Sequence, residues 1–328
     1  MRQMLRQSVS VIVPAYNSEK TIESCIEALL LQDYQKELYE VIVVDDGSTD
    51  NTAQKIKKFP VKYIWQKNSG PASARNNGVT YANGDTILFT DSDCMPDVNW
   101  ISEMVKPFKD INVMAVKGAY RNKQKSIVAR FAQLEFEERF EMLKKAEYID
   151  MVDTYSAGFR KDIFLKMGGF DTSFPVANNE DTELSYRMSR RGLKMVFNPE
   201  AIVYHLNHPD SIKRYARLKF WRGYWRIVVY KKYPDKMLKD TYTPQSLKLQ
   251  SLSLLLLFMD IPFVLIFPMY GIYIFLFIFT SFVILSIPFI LLAFKKDPLI
   301  VVLAPFFLVL RASSIGFGAL RGIAHRTL

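Results

Sequence analysis

Residues 251–294 carry one charged side chain, Asp260, in a stretch of 44 residues. About 20 apolar residues cross a bilayer as one helix, so this run is long enough for two spans. A buried helix of a soluble protein seldom runs so far without charge. The stretch therefore predicts a helical membrane hairpin, Ser251–Pro268 and Met269–Phe294, turning near Pro268 and Gly271. Asp260 is the exception within it. A charged Asp at the centre of a span costs about 2.5–3.5 kcal/mol on insertion scales. It is expected to be protonated, to sit near an interface or to face protein. A third apolar segment, Pro298–Leu310, reaches Leu320 only by including Arg311, which leaves a third span, a re-entrant helix or an interfacial helix open. Lys295-Lys296 predicts a cytoplasmic loop between them.

The net charge of +10 is concentrated just before that region. Residues 211–239 hold ten Lys or Arg against one acid, Asp235, interleaved with Tyr215, Phe220, Trp221, Tyr224, Trp225, Tyr230 and Tyr233. Basic residues mixed with aromatics suit nucleic acid. Next to apolar spans, an amphipathic helix on an anionic leaflet is the better expectation, with a merely solvated helix as the plain alternative. The only cysteines, Cys25 and Cys94, imply no disulfide framework. The early apolar run Val9–Ala15 is too short for a signal peptide and alternates like a strand, so residues 1–245 are expected on the cytosolic side of a membrane. They are also expected to fold without residues 246–328.

Residues 1–208 read as strands alternating with helices. Strands are predicted at Ser8–Pro14, Tyr39–Val44, Val61–Trp65 and Thr86–Thr90, with helices after Ser18, at Asp50–Thr52 onward and over Pro71–Ala82. That alternation implies a parallel sheet, in which ligands bind beyond the carboxyl ends of the strands. Further on, Val113–Tyr120, Met195–Phe197 and Ala201–His205 read as strands. Ser126–Lys145, Lys161–Met167 and Asp181–Arg191 read as helices, the last stopped by Gly192.

The candidate chemistry falls at those strand ends. Asp91-Ser92-Asp93 follows the apolar run Thr86–Thr90. Two carboxylates one residue apart can hold a hard divalent cation, which can in turn clamp a diphosphate leaving group. Val41–Asp50 ends a strand in Asp45-Asp46-Gly-Ser-Thr, and Asn179-Glu180-Asp181-Thr-Glu183 opens a helix. Together with Val11-Ile-Val-Pro14-Ala15-Tyr16-Asn17, Asn68–Gly78 and Met167-Gly-Gly169-Phe-Asp171, these segments resemble the family 2 glycosyltransferases. That family comprises inverting enzymes of GT-A fold that use nucleotide-sugar donors. The resemblance covers residues 8–208 and is specific for family and fold, not for sugar or acceptor.

The resemblance carries roles onto these positions. Asp45 or Asp46 would accept from a nucleotide base or ribose, the alternative being a turn in which they cap backbone amides. Pro14, Ala15 and Tyr16 would wall the base, and Arg75 would grip a base carbonyl or a phosphate. Asp91 and Ser92 would face the donor. Asp91, Asp93 and His205 would hold Mn²⁺ or Mg²⁺, Asp93 most directly, with a structural role open for His205. Asp181 would be the general base that takes the acceptor hydroxyl's proton, with Glu180 behind it. Gly158 and Gly169 would allow close approach on the acceptor side. Processive relatives carry Gln-x-x-Arg-Trp where this chain has Phe220-Trp221-Arg222-Gly223, which disfavours a long-chain polysaccharide synthase.

The expected fold class is α/β, a GT-A nucleotide-diphospho-sugar transferase domain with a Rossmann-like, mostly parallel sheet, followed by α-helical membrane segments. Its expected parts are a nucleotide-sugar half (1–110), an acceptor half (111–208), a basic aromatic segment (209–245) and a membrane part (246–328). The expected partners are a nucleotide-diphosphate sugar, a lipid-linked or glycan hydroxyl acceptor and a membrane, without nucleic acid. A polyprenyl-phosphate acceptor is the near rival, although an ionised phosphate needs no base. A non-catalytic membrane scaffold and a basic nucleic-acid binder are the distant ones.

Overall fold

The computed structural model describes residues 7–174 and 179–325. Asn178, beside the expected base, lies outside them. The chain divides into two compact units. One holds the described residues up to Lys123 together with those of Leu143–Asn207. The other holds Gln124–Met142 and the described residues from His208 onward.

The first unit is built on one sheet. Strand β1 (Val9–Ala15) is buried along its whole length, as an apolar run flanked by two parallel neighbours must be. It leads to α1 (Ile22–Leu30), which buries Ile22, Cys25, Ile26 and Leu29 at helical spacing. Then come β2 (Tyr39–Asp45), α2 (Thr52–Ile56), β3 (Lys62–Trp65) and α3 (Pro71–Thr80). Pro71 at the first helical position starts α3 with a preset φ. Its inner face is made of small residues, and a Cβ on Gly78 would lie 2.5 Å from Ile12 Cγ2, so the helix sits directly on the sheet. The chain continues through β4 (Thr86–Phe89), β5 (Cys94–Pro96), α4 (Trp100–Val105) and β6 (Val113–Asn122). Helix α5 (Ile127–Leu143) belongs to the second unit over all but its last residue. The first unit resumes with β7 (Ala157–Arg160), α6 (Lys161–Lys166), α7 (Glu180–Arg190) and β8 (Lys194–His205).

The strand order is β3-β2-β1-β4-β7-β6-β8-β5. β3, β2, β1 and β4 are mutually parallel, and β8 is parallel to β6; β7 opposes both β4 and β6, and β5 opposes β8. Two expectations change here. The strands predicted at 195–197 and 201–205 are one strand, β8, whose register against β6 shifts between Lys117 and Ala119. Three-residue β5 had no sequence signal, because a strand that short and ending in Pro shows no alternation; its Pro is tolerated at the sheet edge.

In the second unit α5 packs among α8 (Ile212–Lys232), α9 (Pro234–Leu238), α10 (Gln245–Ile266), α11 (Pro268–Lys296), α12 (Pro298–Val301) and α13 (Ala304–Ile323). α10, α11 and α13 are each long and apolar enough to cross a membrane. They expose large apolar side chains such as Phe258, Phe277, Ile284, Leu291 and Phe306. α13 includes Arg311, because that guanidinium is buried against Glu135, Glu138 and Gln250. Asp260 is buried too. Helix α8, in the segment expected to lie on a membrane surface, is packed along α13. A Cβ on Gly223 would lie 2.3 Å from Ile315 O, and one on Gly318 2.0 Å from Phe220 O. Small residues at such crossings let two helix backbones meet.

Candidate active site

The loops after β1, β2 and β4 are cross-linked at the carboxyl ends of the strands. Asn17, with φ of +48°, donates its backbone N–H to Ser48 Oγ at 3.0 Å and accepts from the Thr49 N–H at 2.8 Å. Ser18 and Ser92 share a hydroxyl–hydroxyl bond of 2.8 Å. Pro14 and Ala15 are buried, and Tyr16 beyond them is 51% exposed.

Asp45 and Asp46 are buried and already engaged. Asp45 accepts from the Ser48 N–H at 2.8 Å and from the Tyr63 hydroxyl at 2.9 Å. Burial, together with that carboxylate, pushes the Tyr63 phenol up to about 12. Asp46 accepts from the backbone N–H groups of Ser69 and Gly70, each at 2.9 Å, and from Gln66 Nε2 at 2.7 Å. It thereby secures the turn into α3. Both carboxylates cap turns at the carboxyl ends of the strands. Tyr63 and Gln66 were invisible as partners in sequence, since β3 and the turn after it carry no motif.

Arg75, expected to meet the donor, is 2% exposed. Its Nη2 lies 2.7 Å from Asp91 Oδ1 and its Nη1 2.8 Å from Glu180 Oε1. The guanidinium sits 5.8 Å from the Phe170 ring centroid. An arginine in a polar, Asn-rich helix reads as a surface residue, and nothing in its spacing shows the two acids that bury it.

The carboxylates at the start of α7 diverge. Glu180 is buried, and burial pushes its carboxyl up to about 7, assisted by the neighbouring Asp181 charge. Arg75 opposes the shift but is shared with Asp91. Asp181 is half-buried, its Oδ1 accepting from the Thr182 N–H at 2.7 Å. The second turn is tied to the sheet side by the Val152 N–H donating to Ser185 Oγ at 3.0 Å.

Asp93 Oδ1 lies 3.4 Å from His205 Nε2, and Cys94 joins them in a cluster of ligand atoms within 4.8 Å of one another. His205 Nδ1 accepts from the Asn207 N–H at 3.2 Å, and the ring lies against Tyr120. One carboxylate oxygen and one imidazole nitrogen are a donor set for a divalent cation. Burial pushes the Cys94 thiol well up, so it stays neutral and adds little to the set.

The two expected acceptor-side glycines separate. Gly158 lies inside the sheet, where a Cβ would meet Leu88, Met104 and Phe108. Gly169, with φ of +68°, forms a left-handed turn between Asn76 and Arg187. Asn76 holds the next residue, Phe170, at its N–H (2.9 Å) and carbonyl (2.8 Å).

A parallel half-sheet whose first, second and fourth strands end in cross-linked loops, beside a helix opened by two acids, is the arrangement of a GT-A domain. Residues 10–168 match the model of glycosyl transferase family 2. The probable glycosyltransferase YdaM of Bacillus subtilis (strain 168) is 30% identical over 238 residues, 66% of this chain and 53% of that protein. Glycosyltransferase AglE of Haloferax volcanii is 27% identical over 218 residues, 64% of this chain and 71% of that protein. The chain thus spans about half the length of the Bacillus relative. In fold, it is similar to the mannosyltransferase PcManGT from Pyrobaculum calidifontis in complex with GDP-Man and Mn²⁺. The TM-score is 0.62 at 20% identity, over 98% of this chain and 88% of that one.

Proposed function

We propose that this chain transfers a sugar from a nucleotide-diphosphate donor to a hydroxyl acceptor with inversion, at a membrane. The observation that carries the reading is the divergence at α7, where Glu180 is anchored inward on Arg75 while Asp181 stays half-buried beside it. One carboxylate held in place is what a single displacement requires. The acceptor oxygen attacks the anomeric carbon as the bond to the diphosphate breaks. The hydroxyl proton passes to the Asp181 carboxylate, and the nucleotide diphosphate leaves. Asp93 and His205 would hold the divalent cation, which supplies positive charge for the leaving diphosphate. Asp45 and Asp46 shape the nucleotide pocket through the turns they cap, and Tyr16 offers it an exposed ring.

The apolar faces of α10, α11 and α13 support anchoring in a membrane; a domain on the cytoplasmic side and a lipid-linked acceptor complete the reading. The Mn²⁺ and GDP-Man of the Pyrobaculum neighbour favour GDP-mannose as one donor to try. The test is release of nucleotide diphosphate from GDP-mannose, UDP-N-acetylglucosamine and UDP-glucose by the detergent-purified chain with Mn²⁺. Release from at least one of them, abolished by chelation, is expected. A chain inert toward all of them that also binds neither GDP nor UDP would be a scaffold instead.

A further inference from the structure

We infer that Arg139, Arg222 and Arg226 form a binding site for a phosphate group between α5 and α8. The site belongs to the helical unit, and its test needs no turnover.

Three guanidiniums meet there around two rings. Arg139 on α5 and Arg222 on α8 lie 5.3 and 6.0 Å from the Phe136 ring centroid. Arg139 and Arg226 lie 4.8 and 5.9 Å from the ring centroid of Tyr242. Arg222 and Arg226 are one helical turn apart and share a face of α8. Arg139 is 8% exposed, whereas Arg222 and Arg226 are half-buried and leave the cluster open to the outside.

The neighbouring acids are committed elsewhere. Glu135 lies 2.6 Å from Lys219 and 3.5 Å from Arg311, and Glu138 lies 3.6 Å from Arg311. Asp240 faces Arg226 as well as Lys248, lies 3.2 Å from the latter, and caps the backbone N–H groups of Tyr242 and Thr243. Among the described residues, no carboxylate pairs with Arg139 or with Arg222. The Tyr242 hydroxyl, at 3.3 Å, is the hydrogen-bond partner of Arg139. A guanidinium cannot shed its proton, and a buried charge is costly until it is paired. An anion seated among the three arginines would supply the missing partner.

The donors select phosphate. Each guanidinium offers a planar fork that matches a carboxylate or a phosphate. A carboxylate has two oxygens, and a phosphate has enough to serve three forks at once. The same unit carries the three helices long and apolar enough to cross a membrane. The phosphate therefore comes from a lipid headgroup, as basic pockets beside membrane spans take, or from solution.

The test is thermal melting of the full chain in neutral detergent and phosphate-free buffer. Phosphatidylglycerol in the micelle, inorganic phosphate, or chloride at matched ionic strength is added in turn. A ligand of the folded state raises the midpoint with its concentration, and a dissociation constant follows from that rise. Wild type is expected to be stabilised by at least one phosphate source and not by chloride. A response to the lipid alone makes the site a headgroup site, and a response to inorganic phosphate makes it a site for free phosphate. Arg139→Met and Arg222→Met should each weaken that binding at least about tenfold, the loss of one charged hydrogen-bonding partner. Lys213→Ala with Arg217→Ala, which removes two exposed charges from the same helix, should change it by less than about twofold. Arg222, being half-buried, decides if Arg139→Met does not fold. Without phosphate, Arg222→Met should melt no lower than wild type, because it breaks no ion pair.

A shift that chloride reproduces would overturn the inference, as would a wild type that answers to neither phosphate source. An Arg222→Met variant that binds as wild type does, or that melts lower in the absence of phosphate, would show that Arg222 serves the fold and not a ligand.

Discussion

The Lys219 ammonium lies 2.6 Å from the Glu135 carboxylate, and each side chain is 2% exposed. Arg311 approaches the same carboxylate at 3.5 Å and Glu138 at 3.6 Å. Burial alone would raise Glu135, but the charges of Lys219, Arg311 and Arg139 outweigh it and bring the group down to about 2. Burial pulls Lys219 down, while the Glu135 charge opposes that pull. This network joins α5 and α8 to α13 inside the second unit.

Removing one partner from a buried ion network leaves uncompensated charge and costs about 3–5 kcal/mol, whereas replacing the whole set by apolar groups is often neutral. Glu135→Ala should therefore lower the denaturation midpoint in detergent sharply. Glu135→Leu with Lys219→Met and Arg311→Met should recover most of that loss. A single Glu135→Ala indistinguishable from wild type would show that the network contributes nothing.

Residues 1–245 alone should not be a well-behaved domain. Phe131 stacks on Phe307 at 4.8 Å and meets Phe289 at 5.2 Å, and Tyr215 packs against Phe307 at 6.2 Å. Deleting residues 246–328 uncovers Phe131 and Tyr215, both fully buried, at about 1.5–3 kcal/mol for each large side chain. The shortened protein is expected to bind hydrophobic dyes and to elute as aggregate in size-exclusion chromatography. A monomeric, dye-silent fragment would contradict this.

Glu180 gives the chain a signed dependence on pH. Its carboxyl, raised by burial to about 7 from the ordinary value of 4.5, holds its proton more tightly folded than unfolded. Stability from this group is complete below about 4.5 and is lost as pH rises through about 7. Glu180→Gln, neutral throughout, should remove that slope, so the difference in melting temperature between wild type and variant should change between pH 4.5 and 7. Parallel curves would mean that Glu180 titrates normally.

Asp181→Asn keeps the shape of the side chain and removes the proton acceptor. Transfer should fall by about 10²–10⁴-fold with affinity for the nucleotide diphosphate near wild type. Asp93→Ala should do the reverse, abolishing the Mn²⁺ dependence of nucleotide binding in calorimetry. The product should have the anomeric configuration opposite to the donor's. Retained configuration would refute a single displacement. Near-normal transfer by the Asn variant would point to an acceptor already ionised, such as a polyprenyl phosphate.

The first half of the sheet was legible because buried parallel strands are continuous apolar runs, and Val9–Ala15 and Tyr39–Asp45 show it directly. The loops at their ends could be read from Asp91-Ser92-Asp93 and the Glu180-Asp181 pair. Roles that depend on who lies across the fold were not legible. Nothing near Arg75 in the chain announces Glu180, 105 residues away. Asp45 and Asp46 look alike in sequence and differ only by their donors, Tyr63 for one and Gln66 for the other. The charged helix at 127–143 read as part of the acceptor half, since the spacing of Phe131 and Leu134 gives a buried face without saying what covers it. Arg311 made the last apolar segment ambiguous, and only Glu135 and Gln250 explain how a guanidinium sits in it.

The chain passes between its two units three times, at Lys123–Gln124, Met142–Leu143 and Asn207–His208. That path imposes an order on biosynthesis. The sheet cannot be finished until α5 has been made, because β7 and β8 follow it. Part of what neutralises and covers α5 comes last, with Arg311 emerging about 176 positions after Glu135 and Phe307 the same distance after Phe131. At the usual pace of about 5–20 residues per second, Glu135 waits roughly 9–35 s for Arg311, and Phe131 as long for Phe307. During that interval the nascent chain carries an acidic, aromatic helix without its α13 cover, and deletions that remove α13 would leave it in that state permanently.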